Sequence, residues 1–153
     1  MTDSVLKSIL DHVQADIQSL ALADIEAGNV RVIKVFSNVE ELLPTLPGVL
    51  IAPLDGETIH RGDGTNQRDD FGYPIAVGMF AADSDSQSEN YDRNLLWRER
   101  IRRRFVNQRL SGVASVYTCM VEPRQIVDPE RWLSRNLWAS TLVLRFLSRE
   151  VRG

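Results

Sequence analysis

The stretch GYPIAVGM, residues 72–79, decides the fold. Its larger residues alternate with glycine, proline and alanine, which is the period-2 pattern of a β-strand whose second face allows close approach. An arginine-rich pattern with helical spacing follows over 88–110, and alternating patterns return over 113–122 and 137–149. On the last of these strands two leucines and a phenylalanine share one face. This succession predicts a strand, a helix and two further strands.

The preceding half of the chain adds one more helix and two more strands. Apolar residues at three- and four-residue steps predict a helix over 2–27, which Gly28-Asn29 can end because both residues accept a left-handed backbone. The β-branched segment 30–36 and the short apolar segment 49–52 predict strands. The expected fold is α+β, in the order α-β-β-β-α-β-β, with both helices on one side of a mostly antiparallel sheet.

Bulk composition predicts one globular domain over residues 1–153. The hydrophobic fraction of 43% and the charged fraction of 25% are ordinary for such a domain. No apolar run is long enough to cross a bilayer, and the N-terminus lacks the pattern of a signal peptide, so we expect synthesis in a reducing cytoplasm and no membrane partner. The single Cys119 is predicted to be buried in a strand. A net charge of −3 argues against a protein that coats nucleic acid.

A long polar hairpin loop is predicted over residues 54–70. It is rich in glycine and acidic residues, and loops of this length in compact domains are usually functional or disordered. We interpret it either as a solvated excursion or as a loop that a neighbouring subunit orders. Because acidic residues collect here and arginines crowd the helix over 88–110, the two surfaces suit head-to-tail association of identical copies.

No catalytic, cofactor or metal site is predicted. The acidic residues of the loop, together with His60, could supply metal ligands, but their spacing lacks the terminal carboxylate and the alternation of an EF-hand. His12 and His60 have neither a placed nucleophile nor an orienting partner, so a histidine-based hydrolase is not indicated. The chain is therefore expected not to be an enzyme.

Arg98 and Arg102 fall within the apolar face of the arginine-rich helix. They must reach an edge, pair with acids or contact a partner, and the preferred interpretation is that a neighbouring subunit supplies their carboxylates. The other arginines of the helix form either a solvated basic face or a surface that meets protein acids or DNA. The predicted subunit interface comprises Asp55, Glu57, Asp63, Asp69, Asp70, Arg98 and Arg102.

The element order resembles that of the tail-terminator, or tail-completion, proteins of long-tailed bacteriophages. The resemblance covers nearly the whole chain, and it is carried by the strand 72–77, the helix with Arg93, Arg100 and Arg104, the strand 117–121 and the closing strand 142–146. It is a resemblance of architecture rather than of a diagnostic motif.

The resemblance implies a virion protein of the head–tail junction that forms a homo-oligomeric ring, usually hexameric. Such a ring caps the tail-tube protein, joins it to the head-completion or connector protein, and lets genome DNA pass through its lumen without sequence-specific binding. The alternatives are another neck or connector protein, a small phage or bacterial hydrolase or nuclease whose metal-dependent turnover would need Asp63 or Asp69, and a nucleic-acid-binding module whose DNA affinity would be sensitive to salt.

Overall fold

The structure, a computed structural model, describes residues 4–35, 43, 45–61, 67–82, 90–130 and 137–151. Within these residues two long helices and six strands form an α+β fold, which confirms the predicted class. In chain order the elements are α1 (Val5–Ser19), β1 (Val30–Val32), β2 (Gly48–Pro53), β3 (Thr58–Arg61), β4 (Arg68–Ala82), α2 (Tyr91–Phe105), β5 (Val116–Pro123) and β6 (Leu137–Val151).

The six strands form one mixed sheet in the order β1-β2-β4-β6-β5, with β3 also paired to β4. Only β1 and β2 run parallel; every other described pair is antiparallel, as predicted. The centre of the sheet is the β4–β6 pair, whose register runs over fifteen residue pairs from Arg68↔Val151 to Ala82↔Leu137 without a shift. This ladder carries both the core of the domain and the segment that extends beyond it.

Both helices pack against the same face of the sheet, which confirms the predicted layering. Helix α1 contributes Ile9, Val13 and Ile17 to the main hydrophobic cluster. Helix α2 contributes three residues to the same cluster, Trp97, Ile101 and Phe105, and the sheet contributes residues that include Ile75, Val77, Met79, Leu142, Leu144 and Phe146. On the opposite face a smaller cluster forms around Leu50, Phe80 and Leu137.

The helices are shorter than the sequence patterns predict. Helix α1 ends at Ser19 rather than at 27, because Leu22 turns into the core and Trp97 Nε1 donates a hydrogen bond of 2.9 Å to the carbonyl of Ala23. Helix α2 ends at Phe105 rather than at 110, because Asn107 adopts a left-handed φ of 55° and its N–H donates to the carbonyl of Cys119. Contacts with neighbouring elements therefore end both helices.

Part of the predicted loop over 54–70 is β-structure. Residues 58–61 form β3, and β4 begins at Arg68, so the prediction of a continuous loop is wrong for these residues. The physical reason is that backbone hydrogen bonds of an antiparallel ladder do not depend on apolar side chains, and polar strands can pair where a central strand such as β4 continues beyond the core. Residues 62–66 lie outside the described residues.

Candidate subunit-interaction site

Strands β2 and β3 pair with the same side of β4 and together form one interrupted hairpin. Pro53 lies opposite Ile75, and Thr58 lies opposite Gly72, so four residues of one strand face two of the other. We call the interruption, residues 54–57, the acidic bulge. We call the ladder beyond it, residues 58–61, 68–72 and 148–151, the arm. None of the described arm residues belongs to a hydrophobic cluster. Gly72 and Ser148 at the base of the arm are buried, and the arm extends past the core beyond them.

Close contact between β3 and β4 at the base of the arm requires glycine at position 72. A Cβ atom placed on Gly72 would meet the Thr58 hydroxyl oxygen inside van der Waals contact. The same residue is buried and lies opposite Leu147 on β6. Gly72, one of the small residues that the sequence pattern assigned to close approach, therefore leaves room for the side chain of Thr58 beside β4.

Two carboxylates of the predicted interface lie on the acidic bulge. Asp55 and Glu57 are exposed, and within the described part of the chain neither makes a hydrogen bond or an ion pair. They flank Gly56, whose carbonyl accepts a hydrogen bond of 3.2 Å from Arg145 Nη1 and whose φ of 106° is in the left-handed region. The bulge is thus fixed to the sheet through its backbone, while both carboxylates remain free.

The other predicted acids differ from this pair. Asp70 accepts hydrogen bonds from Arg149 at 2.9 and 3.3 Å and from the hydroxyl of Tyr117 at 3.3 Å. The Asp70 carboxylate raises the pKa of Arg149, and burial, followed by the Asp70 charge, raises the pKa of Tyr117. Asp69 is half-buried opposite Glu150, and Asp63 lies outside the described residues. Asp70 on β4 therefore links β6 and β5 within one subunit.

A cleft lined by three arginines opens where the arm meets β5. Its volume is about 370 Å³, and it is lined by Arg68, Arg109, Ala114, Ser115, Val116, Tyr117, Arg149 and Val151. We call it the arginine cleft. Arg149 forms an ion pair with Asp70. Arg68 and Arg109 are exposed and make no hydrogen bond or ion pair among the described residues. The cleft thus holds more positive than negative charge.

The prediction that a neighbouring subunit supplies a carboxylate to Arg98 is wrong. Its side chain is buried, with 8% of the residue exposed, and among the described residues its hydrogen-bond acceptors include no carboxylate. Its Nη1 donates to the carbonyl of Gln125 at 3.1 Å, to Ser140 Oγ at 2.7 Å and to the carbonyl of Thr141 at 2.8 Å, and its Nη2 donates to the carbonyl of Arg124 at 3.0 Å. Burial, followed by the charge of Arg102, lowers the pKa of Arg98. Arg98 therefore fastens residues 124–125 to β6 inside one subunit.

The remaining arginines of α2 mostly hold neighbouring segments of the same chain. Arg100 donates to the carbonyl of Leu20 at 2.6 Å, Arg104 lies 3.1 Å from the Asp16 carboxylate, and Arg93 pairs with Asp24 at 3.0 Å. These three residues therefore do not form a uniformly solvated basic face. Arg102, by contrast, is exposed, and its proposed interface role stays a prediction.

His12 and Cys119, which could have been reactive groups, have packing roles in the structure. Among the described residues, no group of three histidine, cysteine, aspartate or glutamate side chains could hold a metal ion. The ring of His12 packs against Gly112 and its Nδ1 lies 2.7 Å from the carbonyl of Ser8. Cys119 is fully buried, as predicted, and burial raises the pKa of its thiol to about 12. This pKa keeps the thiol protonated, and a thiol is a far weaker nucleophile than a thiolate.

Comparison with known proteins adds no relative. No protein-family model matches the chain, and no curated protein has a significantly similar sequence. In the part of the chain that the structure describes, no helix has the length and apolar character needed to span a membrane.

Sequence reasoning missed the arginine cleft. Its three arginines come from the start of β4, the α2–β5 connection and the end of β6, which are far apart in sequence. The antiparallel register brings Arg68 opposite Val151 and thus close to Arg149. The available signal was the alternating pattern of the last strand, but that pattern does not reveal the partners of the strand.

Proposed function

We propose that the chain is a non-enzymatic structural protein of the phage head–tail junction, specifically the tail terminator that forms a ring on the tail tube. The observation that carries the proposal is the arm, a polar antiparallel ladder that continues β4 and β6 past the hydrophobic core. A polar ladder outside the core adds little to the burial that stabilises a single domain. The strand edge of the arm and the exposed carboxylates of the adjoining acidic bulge are features that a neighbouring molecule can contact.

The outer edge of the arm is suited to protein contact. Within the described residues β3 pairs only with β4, so its other edge presents unpaired backbone groups, and Ile59 on this strand is 66% exposed. Exposed edges of this kind pair with other chains unless they are protected. A ring subunit needs such surfaces toward its neighbours and toward the tube, and the resemblance to tail terminators assigns them that role.

The charge of the chain supports passage of DNA rather than its capture. The net charge is −3, and most arginines of α2 already pair within their own chain. Non-specific DNA binding requires many unpaired basic groups that neutralise phosphates. A ring made of such subunits would allow genome DNA to move through its lumen without holding it.

The proposal is tested by offering the purified protein its expected partners. The protein, the tail-tube protein of the same phage and the head-connector protein are mixed in pairs and examined by negative-stain microscopy and mass measurement. We expect rings alone and rings at one end of tail tubes, with tube length limited when the protein is present during polymerisation.

Binding to the connector without any effect on tubes would assign the chain to another neck position. Absence of binding to either partner would contradict a role at the junction. Bovine serum albumin at the same concentration serves as the control for non-specific limitation of tube length.

A further inference from the structure

We propose that the arginine cleft of one subunit receives the carboxylates of Asp55 and Glu57 from a second copy of this chain. The inference rests on the proposed ring and names the contact that would join its subunits. It replaces Arg98, which is satisfied inside its own subunit, with Arg68, Arg109 and Arg149 as the basic side of the interface.

The two charged sites lie apart along the strands within one subunit. The acidic bulge faces Tyr73 and Pro74 of β4, whereas the cleft includes Arg68 at the start of β4 and Arg149 near the end of β6. Tyr73 follows Arg68 by five positions, which is about 17 Å along an extended strand. Among the described residues neither Asp55 nor Glu57 pairs with an arginine of its own cleft.

Each site lacks what the other offers. Asp55 and Glu57 have no cationic partner, and Arg68 and Arg109 have no anionic partner, among the described residues. Arginine binds carboxylates through a planar fork of donors, which makes such pairs directional as well as attractive. Asp55 and Glu57 present two carboxylates, one on each side of Gly56, and the cleft presents separate guanidinium groups that can bind them.

In a ring the contact is heterologous, because each copy uses its bulge on one neighbour and its cleft on the other, and the ring closes when the rotation between copies allows it. A two-fold dimer in which each bulge enters the cleft of the other copy would use the same charge pairs. The mass of the assembly distinguishes the two arrangements.

Charge reversal tests the contact in the full-length chain. The cleft variant carries Arg68→Glu and Arg109→Glu, and the bulge variant carries Asp55→Arg and Glu57→Arg. We expect each variant alone to lose self-association, with the apparent dissociation constant rising at least about tenfold in sedimentation velocity. An equal mixture of the two variants should assemble again, because each cleft then meets a bulge of opposite charge.

The matched control changes the same amount of charge on the helical side. Lys7 and Arg103 have side chains that are 64% and 66% exposed, and the Lys7→Glu/Arg103→Glu variant should assemble as the wild type does. Thermal unfolding of every variant checks that the fold is retained. Assembly of the wild type should also weaken as salt rises.

Three results would overturn the inference: reversed variants that assemble normally, a mixture that stays dissociated, or a wild-type chain that is monomeric at every concentration. The first two results leave the proposed function open, because it is measured separately through binding to tail tubes, whereas a chain that is always monomeric would also contradict the expected rings. A wild-type ring that survives both reversals would keep the ring and remove this contact from it.

Discussion

At the scale of single residues, the most informative position is Arg98, a buried cation that is held by neutral oxygens. Three of its four acceptors are backbone carbonyls, and the fourth is the hydroxyl of Ser140. A buried guanidinium is tolerated only when its donors are satisfied, and here carbonyl dipoles satisfy them in place of a carboxylate. The residue thus ties the segment after β5 to β6.

We predict that Arg98→Met destabilises the monomer by roughly 2–4 kcal/mol, because several buried acceptors lose their donor. Arg98→Lys should recover less than half of this loss, since an ammonium group lacks the planar fork. Urea denaturation followed by circular dichroism measures both. Arg103→Met, on the exposed side of the same helix, is the control and should leave the midpoint nearly unchanged. An unaltered midpoint for Arg98→Met would contradict the assigned network.

Cys119 provides a second prediction at this scale, because it is the only thiol of the chain. Its pKa is raised from 9.0 to about 12 by burial, so the folded state holds the proton that the unfolded state releases. This contribution to stability is complete below pH 9 and is lost as the pH rises toward 12.

We therefore expect the native thiol to react slowly with a disulfide reagent at pH 9, and the urea-unfolded thiol to react fast. The loss of stability above pH 9 should be smaller in Cys119→Ala than in the wild type. Rapid labelling of the native protein would show that the strand opens or that the thiol is exposed.

At the scale of elements, the base of the arm depends on the fit between Thr58 and Gly72. We predict that Gly72→Ala loosens β3 by about 1–2 kcal/mol, because the added methyl group meets the threonine hydroxyl. Hydrogen exchange of the β3 amides should rise, whereas exchange in the core of β4 and β6 should not. In a Thr58→Ala background the same substitution should cost much less. Equal costs in both backgrounds would show that the two side chains do not interact.

The elements that the sequence predicted correctly are those whose own side-chain pattern decides their structure. The alternation around Ile75 and Leu144 revealed β4 and β6, and the apolar stripe through Val13 revealed α1. The end of α1 was missed because the buried Leu22 and the hydrogen bond from Trp97 decide it, and such tertiary contacts leave no local signal. Strand β3 was missed because its pairing depends on β4 continuing beyond the core.

The candidate site likewise depends on tertiary contacts that leave no local signal in the sequence. Asp55 and Glu57 were predicted from local composition, and the structure leaves both exposed. Arg98 was assigned to an interface because a helical projection cannot show that the carbonyls of residues 124, 125 and 141 surround it. The arginine cleft depends on strand register, which a single sequence does not reveal for segments so far apart.

At the scale of the whole molecule, we predict that the arm is separable from the domain. Replacing residues 58–70 by a short Gly/Ser turn removes no member of the hydrophobic clusters. The circular-dichroism spectrum should remain nearly intact, with a modest fall in the unfolding midpoint because the β3–β4 ladder is lost. Ring formation should fail, since the replaced segment includes Arg68 and the outer strand edge. Normal assembly of the shortened chain would make the arm a passive extension, and loss of folding would make it part of the core.

The uninterrupted β4–β6 ladder also has a mechanical consequence. The fifteen residue pairs begin at the arm and run through the core, so a force applied to the arm acts along strands against which the helices pack. A force along the strands shears the ladder and loads many backbone hydrogen bonds at the same time. A force perpendicular to the strands would break these hydrogen bonds one after another. Because closely packed interiors transmit strain, the arm should behave as a stiff lever rather than as a hinge. Tension that reaches the arm of one subunit would then pass along β4 and β6 into the core of that subunit.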